Sequence, residues 1–78
     1  MKRWRAATEI QSLVFDADLF TVKAAKRWAR EHDFRRGSVD VKPNTIRLRQ
    51  ADPALYRRNT FRTITLRSGV QAVIAVPK

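Results

Sequence analysis

Seventy-eight residues with 17 Lys plus Arg against 7 Asp plus Glu carry a formal charge of +10, which describes one small domain suited to a polyanionic partner. The chain has no Cys, so disulfides and thiolate metal sites are excluded as supplements to the core, and no apolar run approaches the roughly 18 residues of a membrane helix. An apolar fraction of 44% with two Gly and three Pro excludes a low-complexity or disordered linker.

Residues 1–8, beginning Met1-Lys2-Arg3-Trp4-Arg5, have no periodicity and no signal-peptide apolar region after them. They read as a basic N-terminal arm ahead of a single domain over residues 9–77. From Glu9 to Phe15 the chain is dense in strand formers and stops at Asp16-Ala17-Asp18, a turn signal. Leu13, Val14 and Phe15 are consecutive, which predicts a central strand covered on both faces.

Thr21 then reads as an N-cap for a helix over Val22 to His32. At 100° per residue Val22, Ala25, Trp28, Ala29 and His32 share one face, and Lys23, Lys26, Arg27 and Arg30 share the opposite one. Asp33 or Gly37 is positioned to supply a left-handed stop. Val39 and Val41 flank Asp40 before Pro43-Asn44 interrupts. Thr45 to Arg49 alternates strictly, with Ile46 and Leu48 on one side and Arg47 and Arg49 on the other. Asp52-Pro53 predicts a cap and a short helical turn through Tyr56.

Phe61 to Arg67 alternates again. Ile64 and Leu66 point inward with Arg62, while Thr63, Thr65 and Arg67 point outward. Ser68-Gly69 predicts a two-residue hairpin turn into a last strand from Val70 to Val76. The expected fold is α+β and two-layered. One main helix packs on one face of a mostly antiparallel three- to four-stranded sheet in the order strand-helix-strand-strand-strand, with a further strand after the helix if Val39–Val41 counts separately. The uncovered face is expected to carry Arg47, Arg49, Thr63, Thr65, Arg67 and Gln71.

An ordered set of residues then carries a resemblance. Phe20-Thr21, Ala25, Trp28, His32 and Phe34 are followed by Arg47-x-Arg49-Gln50 and Asp52-Pro53, and then by Phe61-Arg62-Thr63-Ile64 and Gly69-Val70-x-Ala72-Val73-Ile74. Together they resemble a small domain found in bacteriophage and prophage proteins, alone or attached to larger proteins, some of them in head assembly. The resemblance spans nearly the whole chain. It implies a phage context and supplies no catalytic residue; the lack of Cys fits the host cytoplasm or the virion. Asp33 stands where that pattern would have Gly after the His.

Catalysis has little to build on. His32, the single His, sits four residues after Trp28 near the helix end, where a bond to a carbonyl and the helix dipole explain it better than a general-base role. Asp16 and Asp18 form an Asp-x-Asp pair, which a turn explains better than a metal. No phosphate loop, dinucleotide fingerprint or zinc spacing is present. The expectation is a non-enzyme without metal or cofactor.

Binding has more support. Phosphate contacts need clustered Arg and Lys rather than exact spacing, and 12 of the 17 basic residues are Arg, whose planar fork suits phosphate. Two surfaces qualify. One is the helix stripe of Lys23, Lys26, Arg27 and Arg30. The other is the open sheet face, where Arg47, Arg49 and Arg67 would clamp a DNA or RNA backbone. Arg57-Arg58 would extend either one. Only Phe61 and Tyr56 are placed to stack on bases, so sequence reading is not expected. The competing expectation is a protein-interaction module that takes an acidic partner, such as a host protein or a head-assembly component. The two basic surfaces lie on opposite sides of the expected fold, and either one alone would serve a flat footprint.

Overall fold

The computed structural model describes residues 8–78. Residues 1–7, which make up nearly all of the expected arm and include Trp4, lie outside the described residues.

Five strands and one helix follow in chain order: β1 (Glu9–Asp16), α1 (Val22–Glu31), β2 (Ser38–Val41), β3 (Thr45–Arg49), β4 (Arg62–Arg67) and β5 (Val70–Ala75). All pairings are antiparallel, in the spatial order β2-β3-β1-β5-β4. The α+β class holds, but the strand count of three to four is corrected to five. Pro43 and Asn44 do not end the pairing. They form a tight corner in which the Lys42 amide donates to the Thr45 carbonyl at 2.8 Å, so Val39 and Val41 lie beside Leu48 and Ile46 in a separate edge strand.

The centre of the sheet is β1, whose residues Gln11 to Phe15 are all buried. Leu13 and Phe15 share a face with Leu48 and Ile46 on β3 and with Ala72 and Val70 on β5. These side chains meet Ala25 and Ala29 of α1 to make the core. Two alanines on the helix's inner face let its backbone approach the sheet closely. The Phe15 ring meets the rings of Phe20 and Trp28 edge-on, at 5.1 and 5.7 Å between centroids, the favoured geometry for aromatic pairs.

Both ends of α1 are capped locally. The Thr21 hydroxyl accepts from the Ala24 amide at 3.0 Å, which satisfies one free donor of the first turn. At the other end helical geometry stops at Glu31, one residue before the expected His32, which becomes the cap. Asp33 turns left-handed with φ 63°. The Phe34 amide then bonds the Ala29 carbonyl and the Asp33 amide bonds that of Arg30, which is the Schellman arrangement. A non-Gly residue at this position is strained, and its negative charge opposes the helix dipole. Asp33→Gly is therefore expected to stabilise the domain by about 1 kcal/mol, a rise of about 4–8 °C in melting temperature at this size; a scanning calorimeter checks it.

One helix does not cover five strands. Its width of about 10 Å spans roughly two strand spacings of about 4.8 Å. It rests closest to β3 and leaves the far edge bare. Ile64 and Leu66 were expected to be covered. The register does put Ile64 beside Ala72 on the helix side, yet Ile64 and Leu66 are each 39% exposed. Every residue of β4 is exposed.

Two bulges adjust the sheet. The first lies between Ile10 and Ser12 on β1. There Nε2 of the buried Gln11 side chain donates to the Ala51 carbonyl, and the Gln11 backbone carbonyl accepts from the Gln50 and Ala51 amides. This draws the chain after β3 across the otherwise open face. The expected turn follows over Pro53–Leu55, capped by Asp52, and Tyr56 is buried against this end of the sheet. The second bulge lies between Thr65 and Arg67 and sets Arg67 opposite Val70. The Ser68-Gly69 turn follows as expected. Gly69 has φ 80°, a left-handed conformation that strains any other residue, and a Cβ there would also press the end of the exposed Leu19 side chain at 2.8 Å.

Candidate nucleic-acid interface

The outer face of α1 presents Lys23, Lys26, Arg27 and Arg30 around a concavity of about 330 Å³ that Arg36 completes. No carboxylate lines it. Neighbours at the i, i+3 and i, i+4 positions along this stripe are all cations, which costs an isolated helix roughly 0.2–0.5 kcal/mol per pair. A stripe of one sign lacks the i, i+4 ion pairs that support a solvated helix face of mixed charge. Glu31 is spaced to pair with Arg27, yet the only ion pair among the described residues joins Lys42 to Asp40 at 3.8 Å, with both side chains well exposed.

Arg36 reaches the stripe because the segment after the helix is held firmly. The Schellman turn fixes the chain direction, and the Gln50 side chain then grips the Arg35 backbone twice. The Arg35 amide donates to Gln50 Oε1 at 2.7 Å, and Gln50 Nε2 donates to the Arg35 carbonyl at 2.9 Å. Arg35 faces a second concavity, which it lines with Arg49, Gly37, Ser38 and the acidic Asp52. Arg49 and Arg47 line a third with Ser38 and Asp40. The adjacent Arg35 and Arg36 thus line different concavities, Arg36 that of the helix stripe and Arg35 the one it shares with Arg49.

The sheet face itself is less basic than expected. Arg47 lies between Asp40 and Val14, and Arg49 between Ser38 and Ser12. Arg67 is corrected: the bulge moves it out of the row of Thr63, Thr65 and Gln71 and into register with Val70, at the far edge of the sheet. It does not stand in one plane with Arg47 and Arg49. Arg57 and Arg58 lie apart from these linings. They occupy the loop after the short turn, where the Arg57 amide donates to the Val76 carbonyl, and line none of the three basic concavities.

Neither aromatic candidate makes a stacking platform beside these cations. Tyr56 is only 3% exposed, and its hydroxyl donates to Glu9 at 3.2 Å. Burial first, and then that bond and the Glu9 charge, hold its phenol above the usual tyrosine range, with the charge of Arg35 opposing. Phe61 stands edge-on to Tyr56 at 6.0 Å, at the start of β4 across the sheet from Arg47 and Arg49. Phe15, Phe20, Trp28 and Phe34 belong to the core or its margin.

The groups weighed for catalysis have structural partners. His32 Nδ1 donates to the Trp28 carbonyl at 2.8 Å, and the imidazole stacks on the Trp28 ring at 3.9 Å. Asp16 Oδ1 accepts from the Asp18 amide at 2.8 Å, a turn held by its own side chain. A larger concavity of about 480 Å³ lies beside this turn, lined by both carboxylates with Asn44, Thr45, Thr65 and Gln71 and by no cation. Among the described residues no three His, Cys, Asp or Glu side chains cluster as metal ligands. None of their helices is long and apolar enough to cross a membrane.

Arg35 and Arg36 were missed by the sequence reading. Their signal was two adjacent Arg directly after the helix stop, but the backbone that carries them is held by Gln50, fifteen residues beyond Arg35. Comparison with protein-family models, curated proteins and solved structures found no match.

Proposed function

We propose that this protein binds nucleic acid through the phosphate backbone, with little reading of sequence. What carries the reading is the basic band: Lys23, Lys26, Arg27, Arg30 and Arg36 share one concavity, and Arg35, Arg49 and Arg47 continue from it around the β2 edge. A helix stripe from residue 23 to residue 30 is roughly 10 Å long, enough to meet about three phosphates of one strand at 3.4 Å of duplex axis each. Arg supplies the paired donors that fit phosphate oxygens. With Tyr56 buried and Phe61 at the far edge, the band has no ring on which to stack an unpaired base, which favours a duplex over a single strand. The phage resemblance agrees with such a role in the host cytoplasm or the virion.

Salt dependence tests it. Engagement of about five phosphates predicts that log K falls against log salt with a slope of about −4.5. Fluorescence anisotropy of a labelled mixed-sequence duplex measures that slope. No binding at 50 mM salt, or a slope near zero, ends the proposal.

A further inference from the structure

The sheet terminates at β4, and among the described residues no strand pairs with its outer edge. Such an edge is a row of backbone donors and acceptors open to another strand. Natural edges are usually short, charged throughout or covered, whereas this one keeps apolar Phe61, Ile64 and Leu66 roughly 40% exposed. The covering helix sits over the other side of the sheet, so this bareness follows from the architecture.

The charges on the edge have a definite spacing. On the helix side Arg62, Ile64 and Arg67 stand opposite Ile74, Ala72 and Val70 of β5. The bulge compresses the outer pair, so a neighbouring strand meets cation, apolar residue and cation at three successive alternate positions. No carboxylate lies within ion-pair distance of Arg62 or Arg67, since the one pair among the described residues is Lys42 with Asp40.

We propose that β4 receives an extended segment of a partner protein as a sixth strand, and that the segment carries acid, apolar residue and acid at alternate positions. Main-chain bonds along the edge supply affinity, and the two acidic side chains against Arg62 and Arg67 supply selectivity. Charge decides the occupant. A second copy brings +10 onto +10, and a self-pairing centred between Ile64 and Thr65 sets Arg62 against Arg67 twice. The chain's own first residues include Lys2, Arg3 and Arg5, which have the wrong sign. This surface lies on the edge opposite the basic band, so it stands whether or not the band binds nucleic acid.

The test uses two capped synthetic heptapeptides, Thr-Glu-Thr-Val-Thr-Glu-Thr and the same peptide with Lys in place of both Glu. Each is titrated into the full chain while backbone amide shifts are followed by NMR. The acidic peptide is expected to bind at least tenfold more tightly and to move the amides of residues 62–67. In the double variant Arg62→Glu/Arg67→Glu the preference is expected to reverse. In Lys26→Ala/Arg27→Ala it is expected to persist. Equal binding of the two peptides overturns the proposal. Shifts confined to α1 overturn it, and so does a dimer through β4 in sedimentation.

Discussion

Replacing Lys26, Arg27 and Arg30 together by Ala is expected to weaken duplex binding on the order of a hundredfold at about 0.1 M salt, with the salt slope flattened by about 2.7 units, about 0.9 for each lost phosphate contact. All three line the concavity that Arg36 completes, and they are the centre of the band. Their loss should not harm the fold, because the buried residues of α1 are Ala25 and Ala29 on the other face. Relief of like-charge neighbours should leave the melting temperature unchanged or slightly higher. Affinity and stability are thus expected to move independently, which anisotropy and thermal unfolding on the same samples will show. Arg47→Ala/Arg49→Ala separates a band from a single patch. If the band wraps the β2 edge, this variant flattens the slope by about 1.8 units; if α1 acts alone, the slope stays as it was. A triple variant that binds like the parent removes the helix stripe from the site.

The largest stability effect is expected at Phe15. Its ring is fully buried at the centre of the sheet and touches the rings of Phe20 and Trp28. Phe15→Ala removes that payload and opens a cavity that fixed strands on both sides do not collapse to fill, at about 3–5 kcal/mol. A chain of this length has on the order of 4–12 kcal/mol in total, and small domains sit toward the lower end. The variant is expected to lose more than about 15 °C of melting temperature or to be unfolded at 37 °C. Val41→Ala is the control, because Val41 lies on the helix side of the sheet at 58% exposure and its truncation is worth about 0.5 kcal/mol or less. Circular dichroism against temperature measures both. A Phe15→Ala protein as stable as the Val41→Ala protein would mean that the core lies elsewhere.

The local chemistry of the helix was legible from its residues. Thr21 caps it, Ala25 and Ala29 face the core, and the Lys and Arg stripe faces water, because the i, i+3, i+4 pattern needs only the helix itself to define its faces; of the two stops the sequence offered, Asp33 and Gly37, the structure uses Asp33. Alternation likewise placed Ile46 and Leu48 opposite Arg47 and Arg49, since a regular strand has a period of two. Alternation failed at Arg67, because a bulge adds one residue and shifts every position after it relative to the strand beyond. Nothing within Phe61 to Arg67 marks the bulge; it follows from how the Ser68-Gly69 turn docks against Leu19 and the end of β1.

Composition and periodicity by themselves determined the α+β class, the capped helix with its cationic outer stripe, and a strand-rich remainder that carries Arg on alternate positions. These depend on backbone geometry within a few residues. The tertiary structure decided that Ser38–Val41, which the sequence left open, is a fifth strand, that Tyr56 is buried with its hydroxyl on Glu9, that β4 lies beyond the reach of the helix, and that Arg36 lines the helix concavity while its neighbour Arg35 lines one with Arg49. Each of these depends on contacts between residues distant in sequence, such as Gln50 with Arg35 or Tyr56 with Glu9. The free energy of such contacts comes from the whole packed arrangement and leaves no period in the chain.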